Sequence, residues 1–141
     1  QMGVAYFELE LYDKAIESFI PYALENNDDA LVFSLIGKSF LNVGDYISAL
    51  GAFQKSLSIN SHDFRTQYYI GECNYLTENF GDAAKSYKKA LNINPDSSEA
   101  HYKLGLVYLK LKKRRSAKKE LNILYMLNQD LFDSLNFYYN D

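Results

Sequence analysis

One cysteine, two prolines and two histidines are the whole supply of cross-linking, helix-breaking and imidazole side chains in these 141 residues. A lone Cys73 excludes an internal disulfide, and its place beside Ile70 and Gly71 on an apolar helix face suits a packed thiol. His62 and His101 lie 39 residues apart with no ligand spacing around them, so no metal site is expected. His62 falls in a polar turn, and His101 shares a column with Phe33 and Gln67, which suggests packing. The seven glycines are scattered, so no glycine-rich loop exists to cradle a phosphate. No nucleophile has an evident base beside it. The chain is therefore expected not to be an enzyme and to need no cofactor. Apolar runs fall well short of the roughly 20 residues that span a membrane, and no signal-peptide pattern is seen. No linker or low-complexity tract divides the chain.

What is present is a globular composition, 48% hydrophobic and 23% charged, with a net charge of −3. The charge is uneven. Residues 1–109 hold 8 basic and 14 acidic residues, whereas 110–141 hold 7 basic and 4 acidic ones. All seven of the latter bases fall in KLKKRRSAKK, 110–119. Gln1 lies inside an expected first helix, so the sequence reads as a piece of a longer product whose targeting segment could lie elsewhere. The cytoplasm is the expected compartment.

Glycine carries the main signal. Gly3, Gly37, Gly71 and Gly105 are each 34 residues apart. Ala15, Ala49, Ala83 and Ala117 keep the same step, as do Phe19, Phe53, Tyr87 and Leu121. Tyr6, Phe40 and Tyr108 form another column, broken by Asn74. Tyr12, Tyr46 and Phe80 form a fourth, broken by Arg114. Each unit holds two runs of helical period joined by a short polar break such as VGDY (43–46). Helices are expected near 1–10, 12–26, 29–43, 46–59, 63–77, 80–93, 97–111, 114–128 and 130–139. Asp45 and Asn79 stand at matching second-helix starts, Asp28 and Asp63 before first helices, and Asp96 with Glu99 forms a capping-box pattern.

This pattern resembles the tetratricopeptide repeat over residues 1 to about 131. The best-matching positions are Gly71, Phe80, Ala83, Tyr87, Ala90, Leu91 and Pro95, followed by Leu104, Gly105 and Tyr108. The resemblance implies an all-α solenoid of antiparallel helix pairs in a right-handed superhelix, with a concave face lined by the first helix of each pair. One domain is expected, with repeats at about 1–29, 30–63, 64–97 and 98–131. A capping helix at 132–141 would cover the last repeat.

A mid-helix glycine costs roughly 1 kcal/mol relative to alanine. Its recurrence predicts a close helix crossing, with Gly71 facing Ala83 and Gly105 facing Ala117. The first unit departs from the pattern. Pro21 lies inside a helix, and Ala23-Leu24 is one residue out of step with Ala90-Leu91. One extra residue and a kink near Pro21 are expected there.

The resemblance implies a protein–protein interaction module that binds a peptide or partner protein in its concave groove. Carried onto this sequence column by column, its inner face holds Arg65 and Glu99; Ser34, Tyr68 and Tyr102; Lys38, Glu72 and Leu106; Phe7, Leu41 and Tyr75; and Asn42 and Lys110. Lys38 and Glu72 would read opposite charges on a ligand. A chaperone C-terminal tail is not the expected ligand, because the column for a clamp lysine holds Ser34, Tyr68 and Tyr102. Self-assembly through an uncovered first repeat is one alternative. Electrostatic contact of the 110–119 cluster with an acidic surface or nucleic acid is another. Nucleic acid is disfavoured because no aromatics interleave with the cluster.

Overall fold

The computed structural model describes residues 1–141. It is all α, with nine helices. The second helices of the repeats are α2 (Tyr12–Glu25), α4 (Tyr46–Ile59), α6 (Phe80–Ile93) and α8 (Arg114–Leu127), each 14 residues long. Their starts keep the 34-residue step of the sequence. The first helices are α1 (Met2–Glu8), α3 (Ala30–Val43), α5 (Phe64–Leu76) and α7 (Ser98–Lys110), and α9 (Gln129–Asn140) follows. Two compact units are formed, Gln1–Tyr69 and Ile70–Asp141, and the division falls within α5.

In the first unit α1 packs on α2, α2 on α3 and α3 on α4. Ala15, Phe19, Ala23 and Ile36 form the core, with Tyr6, Phe33 and Phe40 packed against it. In the second unit α7 packs on α6, α8 and α9, and α9 also packs on α8. Leu121, Leu124 and Leu135 are fully buried there, with Tyr102, Leu106, Leu109, Leu131, Phe132 and Tyr139 around them. Helix α9 thus lies against the last repeat, one residue longer at each end than the helix expected at 130–139 and starting three residues before the cap expected at 132–141.

The glycines do mark close approaches, but their partners differ from the expected alanines. A Cβ on Gly71 would lie 2.6 Å from the ring of Tyr87, not against Ala83. Gly3 and Gly37 meet Phe19 and Phe53 in the same way. The second helix lays an aromatic ring over the glycine of the first, so the missing Cβ makes room for the ring. In the fourth repeat that aromatic column holds Leu121. Gly105 accordingly meets Leu135 of α9 and the Cβ of Glu120, not Ala117.

Helix α2 needs no extra residue. It has the same length as α4, α6 and α8, and runs through Pro21 as one continuous α-helix. Pro21 removes the one backbone donor that would reach the Glu17 carbonyl, and the helix continues past it to Glu25. The cap of α7 is also shifted by one residue: the Ser97 side chain, not Asp96, accepts from the backbone N–H of Ala100. Asp45 caps α4 as expected, and Asp29 rather than Asp28 caps α3.

The turns between paired helices share one demanding position. Gly44 has φ of 85°, and Glu10, Glu78 and Lys112, spaced 34 residues apart about it, have φ of 58°, 61° and 57°. Only the second repeat places there the residue type that adopts left-handed backbone freely.

Candidate functional site

In the first unit a cleft of about 810 Å³ opens between α3 and α5. Ser34, Lys38 and Arg65, three of the residues expected at the binding face, line it together with Leu31, Phe64 and Tyr69. The side chains are set by neighbours on both helices. The Ser34 hydroxyl is 3.1 Å from that of Thr66, which in turn donates to Asp63. The Lys38 ammonium lies 5.2 Å from the centre of the Phe7 ring and 5.3 Å from that of Tyr69. Phe7 is held edge-on to Tyr12 at 5.6 Å. Tyr68 packs against Phe64 and Tyr69 at 6.2 and 5.8 Å. Leu41 is half-buried, and exposed Asn42 donates back to the Lys38 carbonyl. Leu31, 68% exposed, is an apolar lining residue that is not among those expected at the binding face.

In the second unit the expected residues are more heavily engaged. Glu72 accepts from the Tyr87 hydroxyl and from the Lys103 ammonium, the latter at 3.0 Å. Its charge is therefore matched within the unit, and the expectation that it reads a ligand charge alongside Lys38 loses its basis. Tyr75 lies edge-on to Phe80 and carries Lys103 over its ring at 5.6 Å. Tyr75, Leu106, Leu109, Lys110 and Tyr138 enclose a smaller recess of about 430 Å³. Tyr102 and Leu106 pack against the cluster that includes Leu135 of α9. Burial, with Tyr138 and Tyr75 nearby, raises the Tyr102 phenol above its ordinary value. Glu99 is exposed in the first turn of α7, where its charge complements the helix dipole. Tyr138, contributed by α9, could not be anticipated from the repeat columns.

Other chemically notable groups have structural partners. Cys73 is fully buried, and burial, with Glu72 adding to it, pushes its thiol up to about 12. His101 is buried between Glu120, 2.6 Å from Nδ1, and the Pro95 carbonyl, 2.8 Å from Nε2. Burial alone would disfavour the imidazolium, but the Glu120 and Pro95 acceptors outweigh it and raise the His101 pKa. In the 110–119 cluster Arg114 lies 4.4 Å over the Tyr139 ring and donates to the Tyr139 carbonyl, and Lys118 lies 5.5 Å over the same ring. Two of the seven bases thereby hold α9 in place. Lys110, Lys112, Lys113, Arg115 and Lys119 are exposed. No helix is long and apolar enough to cross a membrane.

Two family models match the chain, one described as TPR repeat over residues 75–112 and one as tetratricopeptide repeat over 98–130. Among curated proteins, BBSome complex member BBS4 of Bos taurus is 28% identical over 79% of this chain. The Hsp70-Hsp90 organising protein of Plasmodium falciparum is 29% identical over 84%. The chain spans 21% of the length of each. A protein O-mannosyl-transferase of Caenorhabditis elegans is also similar, at 28% over 52% of this chain. The crystal structure of MamA superposes with a TM-score of 0.87 at 17% identity, covering 99% of this chain and 91% of that one. With the repeat spacing and the paired helices, these matches place tetratricopeptide repeats at residues 75–130 and give the chain a tetratricopeptide-like all-α solenoid fold.

Proposed function

We infer that this chain is a non-catalytic scaffold that binds a peptide segment of a partner protein on the faces of its first helices. Tetratricopeptide-repeat proteins serve as protein–protein interaction scaffolds, which gives the class. The α3–α5 cleft supports the site. It combines Ser34, Lys38 and Arg65 with the apolar surface of Leu31, Phe64 and Tyr69. Its volume suits several side chains of an extended ligand, and a mixture of aromatic area with a few polar groups is what peptide recognition uses. In the second unit Tyr75 and Lys110 at the 430 Å³ recess are the corresponding candidates.

Site-specific photo-cross-linking tests this reading. A benzophenone amino acid at Leu31, in the cleft, is compared with one at Ile47, 85% exposed on α4 and outside it. Adducts with a specific protein of the source cell are expected from position 31 and not from 47. Adducts from 47 alone would move the site to the second-helix surface.

A further inference from the structure

The α3–α5 cleft has a charge that its surroundings do not share. The unit Gln1–Tyr69 holds nine acidic residues and only four basic ones, Lys14, Lys38, Lys55 and Arg65. Two of those four, Lys38 and Arg65, line this one cleft.

The single acidic lining residue is Asp63. Its carboxylate turns into the start of its own helix, where Oδ1 accepts from the Arg65 backbone N–H at 3.1 Å and Oδ2 accepts from the Thr66 hydroxyl. There it complements the helix dipole and leaves the two cationic heads without a carboxylate partner. Neither Lys38 nor Arg65 takes part in the chain's ion pairs, which are Lys85–Asp82, His101–Glu120 and Lys103–Glu72.

Lys38 is also pre-positioned. The Phe7 and Tyr69 rings fix its ammonium by cation–π attraction, which orients the charge without cancelling it. A cation held in this way loses little side-chain freedom when an anion binds. The contrast within the chain is informative. Lys103 in the second unit has the same kind of ring contact, with Tyr75, but its charge is matched by Glu72.

Resting on the peptide-binding reading above, we propose that the α3–α5 cleft selects an internal acidic segment, with Asp or Glu side chains at Lys38 and Arg65 and an apolar residue against Leu31 and Phe64. The ligand charges come from side chains and not from a chain terminus.

Fluorescence anisotropy with short labelled peptides tests this. Three series share the same leucine and aromatic anchors, with Asp/Glu, Asn/Gln or Lys at the remaining positions. Each is N-acetylated and C-amidated, and the Asn/Gln series is also made with a free C-terminal carboxylate. The acidic series should bind roughly tenfold or more tightly than the amide series at low salt. The advantage should shrink as salt rises, because the cleft is open to solvent. K38Q with R65Q should abolish it with the far-ultraviolet circular dichroism unchanged, and K38R with R65K should restore most of it.

Equal binding of all three series would overturn the acidic preference while leaving the peptide site standing. Tightest binding of the lysine series would do the same. Binding of the amide peptide only with a free carboxylate would overturn the internal-segment assignment. Failure of every series to bind would remove both this proposal and the peptide site on which it rests.

Discussion

Replacing Gly71 by alanine should destabilise the protein, although the same change elsewhere in a helix stabilises it. Alanine gains about 1 kcal/mol of helix propensity over glycine. Against that, the new Cβ would lie 2.6, 2.8 and 2.9 Å from three ring atoms of Tyr87. Tyr87 is fully buried, so its ring has no solvent to move into. Its hydroxyl also donates to Glu72, which pairs with Lys103. Overpacking of this kind costs about 1–3 kcal/mol. Displacing the ring would further weaken a hydrogen bond to a charged acceptor, itself worth roughly 1.5–3 kcal/mol. The net expectation is a loss of about 1.5–5 kcal/mol once the propensity gain is subtracted. Gly51 supplies the control. It lies inside α4, and nothing is within 4 Å of the Cβ it would acquire. Gly51→Ala should therefore gain up to about 1 kcal/mol. Urea unfolding followed by circular dichroism reads both variants on one scale. A Gly71→Ala protein as stable as the parent would refute the argument that the ring of Tyr87 occupies the space the glycine leaves.

Two other expectations follow from local geometry. Lys112→Gly should stabilise by about 0.5–1 kcal/mol, because left-handed backbone is unfavourable for lysine and free for glycine, less the extra chain entropy glycine must lose; a thermal melt showing no gain would count against it. His101 has a raised folded-state pKa, so its contribution to stability is present below its ordinary value of 6.5 and is lost as pH rises through the folded-state value. Denaturant unfolding from acid to mildly alkaline pH should show that decline. His101→Gln should flatten it, and an unaltered pH profile in the variant would exclude His101 as its source.

The repeat was fully legible because column spacing is a local property of the chain. The 34-residue step set the start of every second helix, including α8, where Arg114 breaks the aromatic column. What the columns could not give was how one helix face meets another. Gly71 was expected against Ala83 because small residues suit a crossing, yet the ring of Tyr87, one turn further along α6, lies there. The out-of-step Ala23-Leu24 pair suggested an extra residue, but α2 keeps the length of α4, α6 and α8. At the site, column position put Ser34, Lys38 and Arg65 on one expected binding face, and the structure brings these three to the lining of a single cleft. It could not show that Glu72 is matched by Lys103 and Tyr87, since those partners lie 31 and 15 residues away. Nor could it foresee that α9, which belongs to no repeat, would bring Leu135 against Tyr102 and Leu106.

The most direct test of the binding account is a hydrogen-exchange footprint of the chain alone and with the partner recovered by cross-linking. Slowed exchange is expected in α3 and in the first turns of α5, around Leu31, Ser34, Lys38 and Arg65, with α4 unchanged. Protection confined to residues 110–119 and α9, with α3 and α5 exchanging as in the free chain, would contradict it.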